Sequence, residues 1–138
     1  MRKLQRGFSI VSAIFLLVVL AFLGVALTTF STTQNQSAAM DVMGSRAYQA
    51  ARAGIEWAAY HVASAPAGWG GCAAGTPVAV GGYLAPFSPV TVNCAAASYI
   101  EGSSTVWIYD VSAVAQTTGS VAGNPDFVQR VIRVKLGN

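Results

Sequence analysis

Positions 8–27 read FSIVSAIFLLVVLAFLGVAL, 20 residues without an ionisable side chain. At the helical rise this stretch covers about 30 Å, the thickness of a bilayer's hydrocarbon core. The pattern then changes twice. Thr28 to Ser37 (TTFSTTQNQS) is polar but uncharged, and from Ala38 the chain becomes rich in helix formers. There Tyr48, Ala51, Ile55, Ala58 and Val62 form one apolar stripe at helical spacing. No proline occurs between Phe8 and Ala65, so the pattern predicts one helix from Phe8 to about Ala63, closed by Pro66 and Gly68. Its first half is apolar all round and its second half amphipathic, with Arg52 and Glu56 placed for an i,i+4 ion pair.

Beyond Pro66 the period shortens. All five prolines and ten of the fourteen glycines lie from there on, punctuating short β-rich runs. Thr105–Val114 (TVWIYDVSAV) and Phe127–Leu136 (FVQRVIRVKL) alternate and carry β-branched and aromatic residues, so they read as an antiparallel strand pair with a long connection. Val78–Val80, Val90–Asn93 and Ser98–Glu101 are shorter strand candidates. The Ala/Gly-rich patches near Ala73 and Ala95 read as loops. The expected fold class is α+β: a long N-terminal helix packed on a small antiparallel β-sheet head. The expected divisions are a leader at 1–7, a membrane segment at 8–30, an amphipathic continuation at 31–64 and the head at 65–138.

Charge sharpens the picture at the N-terminus. Arg2, Lys3 and Arg6 precede the apolar run, and no further charge appears until Asp41. This asymmetry predicts a cytoplasmic N-terminus and an exported remainder. The apolar run exceeds that of a secretory signal, although Gly24-Val25-Ala26 leaves open a degenerate cleavage site. With the three leader cations removed, the chain has 5 basic and 5 acidic residues. The overall basicity therefore belongs to the leader and is no argument for nucleic-acid binding.

Two cysteines in an exported chain suggest a disulfide, Cys72 to Cys94, closing a loop worth about 3 kcal/mol on the loop-entropy model. The alternative is a pair of buried thiols in a cytoplasmic head. His61 is the single histidine and reads as a packing or surface residue. The carboxylates are scattered, with Asp110 either exposed or paired with Arg130 or Arg133 across the strand pair. No residue set suggests catalysis, a metal or a cofactor. Asn35-Gln36-Ser37 fits a glycosylation sequon. Trp57 and Trp107 are candidate core anchors, whereas Trp69 is a candidate exposed contact.

The basic stub, Gly7-Phe8, the apolar helix, its amphipathic continuation and the small β head together resemble the type IV pilin and pseudopilin superfamily. Over Gly7 to about His61 the chain is most similar to minor pilins of the MshP type, from mannose-sensitive haemagglutinin (MSHA) pilus biogenesis. The resemblance implies cleavage between Gly7 and Phe8 by a prepilin peptidase and methylation of the new amine on Phe8. It implies an inner-membrane subunit with a periplasmic head. Its partners would be the bilayer, an inner-membrane assembly platform, and other pilins and minor pilins. Ser12 stands where most members carry glutamate, the fifth residue after the cleavage site. The implied function is a structural, non-enzymatic subunit that starts or caps a pilus. The alternatives are a single-pass membrane-anchored binding module and a pseudopilin of type II secretion.

Overall fold

The computed structural model describes residues 10–137. Helix α1 runs Ile10–Ala63, and four strands follow: β1 (Thr76–Val78), β2 (Val90–Glu101), β3 (Ser104–Gln116) and β4 (Gln129–Gly137). A 3₁₀ turn, Gly82–Phe87, lies between β1 and β2. The sheet order is β1-β2-β3-β4, every pair antiparallel. A long helix packed on a small antiparallel sheet is the α+β arrangement expected from the pattern.

The chain divides into two compact units, one ending at Ala39 and the other starting at Met40. In the first, the described residues are helical and exposed throughout. Thr and Ser are mediocre helix formers, yet Thr28–Thr33 stay helical. Their backbone bonds are kept, and the threonine hydroxyls bond to carbonyls of the preceding turn.

In the second unit the helix meets the sheet through very small side chains. Gly44, Ala47, Ala50, Ala51, Gly54, Ala58 and Val62 are the buried helical positions. The expected stripe is therefore corrected in part: Ala51, Ala58 and Val62 are buried as expected, but its two large members are not. Tyr48 is exposed, Ile55 is only partly buried, and the contact line passes through Ala47, Ala51, Gly54 and Ala58. The reason is distance. A methyl built on Gly54 would lie 2.9 Å from Val90 Cγ1 and 3.1 Å from Ala113 Cβ, so helix and sheet touch almost backbone to side chain. Facing this seam are Val90, Val92, Val111, Ala113 and Ala115, with Tyr109 and Phe87 the largest fully buried side chains.

Two strand expectations also change. Val90–Asn93 and Ser98–Glu101 are parts of one strand, β2, and the Ala95 patch between them is strand rather than loop. Alanine is a weak strand former, but eleven residue pairs from Thr91–Val114 to Glu101–Ser104 hold it in register with β3. The two strands join through Gly102-Ser103, with Gly102 at φ 63°, the backbone a tight two-residue hairpin asks of its first central residue. The first short strand is Thr76–Val78, so Val80 falls outside it.

The long β3–β4 connection is tied down by its threonines. Thr117 exchanges hydrogen bonds with Val128, whose N–H donates to Thr117 Oγ1. The Thr118 N–H donates to the Pro86 carbonyl and its hydroxyl to that of Ser88.

Candidate functional site

The first feature with functional content is the exposed part of α1. Among the described residues, one helix is long and apolar enough to cross a membrane, and its most apolar window has no buried position. Ile10, Phe22, Leu27 and Phe30 are all more than two-thirds exposed (68–78%). At about 25 cal/mol per Å² such a surface is costly in water and asks for an apolar medium or partner. Ser12 sits on this helix, exposed among Ile10, Val11 and Ile14. Gly7 and Phe8, the expected cleavage and methylation positions, lie outside the described residues.

The second feature is a cystine beside an aromatic cluster at the C-terminal end of α1. Cys72 and Cys94 form a disulfide with their Cα atoms 5.1 Å apart. It links the loop after the helix to β2, and next to it the Cys94 N–H donates to the Ala73 carbonyl at 3.0 Å. The Gly75 N–H donates to Asn93 Oδ1 at 2.8 Å, holding the same loop from its other side. Trp69, expected as an exposed contact, is instead half-buried. Its indole stacks on His61 at 5.3 Å with 10° between planes and meets Trp57 edge-on at 5.6 Å. His61 also lies 4.4 Å from the Trp57 ring. The tight bend at Gly68 makes this possible. Its φ is 101°, and a methyl there would stand 2.7 Å from the Trp107 ring. Trp57 and Trp107 are partly buried against the core, close to their expected role.

The third feature had no counterpart in the expectations. Every residue from Ala95 to Thr105 is exposed, on both faces of the β2–β3 hairpin. Tyr99 is 55% and Ile100 83% exposed. The outer edge of this arm is also bare. β1 pairs only as far as Val92, and Cys94 closes on Ala73. Main-chain groups alternate in direction along a strand. Those of Ala96, Ser98 and Ile100 thus point the same way as those of Cys94, away from β3, and among the described residues none pairs with another segment. The opposite edge of the sheet, β4, displays Arg133 and Lys135, charges of the kind that discourage strand addition. On the arm, by contrast, no charge appears before Glu101. The signal that could have revealed the arm is Gly102-Ser103 between two runs of strand formers.

The outer sheet face collects polar groups in register. Asn93, Ser112 and Arg133 lie in one row, and Ala95, Asp110 and Lys135 in the next. Asp110 is therefore opposite Lys135, not Arg130 or Arg133. Among the described residues the ion pair that closes is Arg52–Glu56, at 2.9 Å and well exposed. Arg130 instead extends over α1, where a methyl on Gly44 would come within 3.1 Å of its guanidinium. No group of three or more His, Cys, Asp or Glu among the described residues is placed to hold a metal. His61 packs against both indoles and meets the Tyr60 ring edge-on at 5.6 Å, and among the described residues no carboxylate is paired with it.

No family model, curated protein or solved structure matches the chain.

Two exposed features stand out among the described residues, each in its own unit: the apolar surface of the first part of α1 and the uncharged outer edge of β2 beyond Cys94.

Proposed function

We propose that this protein is a minor pilin-like structural subunit that inserts in the inner membrane and serves at the start or tip of a type IV pilus of the MSHA type. One observation carries the reading. A charge-free apolar stretch leads into a helix whose later turns form the inner layer of a disulfide-stapled antiparallel head. In this reading the leader keeps the N-terminus cytoplasmic, a prepilin peptidase cuts between Gly7 and Phe8, and the Phe8 amine is methylated. The head is periplasmic before assembly, and the mechanism is association rather than catalysis. Partners are the bilayer, an assembly platform and other pilins.

Ser12 fits an end position. A carboxylate at that point in related fibres would neutralise a neighbour's N-terminal amine, and an unpaired charge in an apolar core costs a few kcal/mol. A subunit that comes first has no earlier amine to neutralise. The test is the intact mass of the native protein. A chain beginning at methylated Phe8 supports the reading. Retention of Met1, or a start at Leu27, overturns it.

The bare hairpin arm favours a second reading, a membrane-anchored binding module whose head captures another envelope protein. That reading keeps the leader uncleaved, so the same mass measurement separates the two. A secretion pseudopilin would share the processed N-terminus and is separated by immunogold labelling of sheared pili, which it would leave unlabelled.

A further inference from the structure

The threonines that follow the apolar run are bonded in a way that alters where the membrane ends. Thr28 donates its hydroxyl to the Val25 carbonyl at 2.8 Å, and Thr29 to the same carbonyl at 3.0 Å. Thr32 donates to Thr29 O at 2.9 Å, with Thr28 O at 3.2 Å, and Thr33 donates to Thr29 O at 3.0 Å. A hydroxyl without a partner costs several kcal/mol in a hydrocarbon medium, about 4–8 by water-to-cyclohexane transfer. These four have partners that travel with the helix. What they present outward is chiefly a methyl group. Ser31 makes no such bond, but one χ1 rotation carries its hydroxyl to the carbonyl a turn back. Phe30 lies between them, 68% exposed and fully apolar.

At Gln34 this chemistry stops. Gln34, Asn35 and Gln36 carry carboxamides with donors and acceptors that no side-chain bond within the helix takes up. We propose that the hydrocarbon-embedded part of α1 extends through Thr33, with its threonines against lipid acyl chains, and that the Gln34–Gln36 carboxamides mark the headgroup level. From Ile10 to Thr33 the helix measures about 36 Å, which a core of about 30 Å accommodates by helix tilt. No charge stands between the leader and Asp41. The headgroup-level band therefore binds by hydrogen bonding, and its depth is independent of anionic lipid.

The inference rests on α1 spanning the membrane, not on the pilin assignment. The test uses the purified full-length chain in phosphatidylcholine vesicles, with and without phosphatidylglycerol. Nitroxide labels are placed singly at Val18→Cys, Phe30→Cys, Thr33→Cys and Ser37→Cys, the native cysteines being tied up as cystine. Collision with oxygen and with a water-soluble nickel chelate is measured at each. The expected result is high oxygen and low nickel collision at Val18, Phe30 and Thr33. Nickel collision should be severalfold higher at Ser37, and both lipid mixtures should give the same profile. Thr33 as nickel-accessible as Ser37 overturns the proposal, and so does low collision with both reagents at Thr33, which would place it against protein. Phe30 makes no side-chain hydrogen bond, so its label repeats the measurement without removing a threonine. Nickel access at Val18 would defeat the membrane span itself, a failure distinct from the others.

Discussion

The Trp69 backbone N–H donates to the Tyr109 hydroxyl at 2.6 Å, and Tyr109 is fully buried. One phenol thus ties the loop after the helix to the middle of the sheet. Tyr109→Phe keeps the ring and strands the amide. Unfolding of the detergent-solubilised chain, followed by tryptophan fluorescence, should show a loss of about 1–2 kcal/mol. The near-ultraviolet dichroism of the indoles should weaken with it.

Gly54 faces Val90, Val92 and Ala113 with no room for a branched side chain. Gly54→Val should cost about 1–3 kcal/mol by overpacking. Gly24→Ala meets open space and should leave the head's unfolding midpoint unchanged. Equal behaviour of the two variants in denaturant titration would contradict the close helix–sheet contact.

Removing the cystine should be felt in the head alone. Cys94→Ser is expected to lower its stability by about 2–4 kcal/mol. Thiol titration of the unreduced, unfolded wild-type chain should find no reactive sulfhydryl.

Ile100 touches little, being 83% exposed near the hairpin turn. Ile100→Lys should change folding stability by less than about 0.5 kcal/mol. If the arm is a docking edge, the same variant should lose incorporation into fibres or envelope complexes, read by fractionation and blotting. Normal incorporation would remove the arm from the association surface.

The strongly patterned parts of this chain could be read directly. The β3–β4 pair announces itself through Trp107, Tyr109, Val111 and Val131, Ile132, Val134, because alternation of large and branched residues has few other uses. The helix through Thr28–Thr33 was legible from the missing prolines more than from propensity. Small residues hid the rest. Ala47 and Gly54 form the seam, but a hydrophobic periodicity weighted by side-chain size places the stripe on Tyr48 and Ile55. Ala95–Ala97 has no strand signature, and it is strand because β3 holds it. Trp69 looked exposed among glycines, yet Gly68 is what lets the chain fold its indole back onto His61.

The hairpin gives this head a gradient of local stability along a single pair of strands. At the Val92–Ala113 end, amides sit over the helical seam and should exchange with solvent only when the whole head unfolds. At the Tyr99–Val106 end two strands stand without a third layer, and an isolated two-stranded ladder is marginal in water. Among the amides bonded to β3, deuterium uptake should therefore start at the Glu101–Ser104 end and move inward, slowing sharply near Cys94, while the outward amides of Ala96, Ser98 and Ile100 exchange fast throughout. A partner that adds a strand along Ala96–Ile100 would reverse that order and make the arm's fastest amides among its slowest.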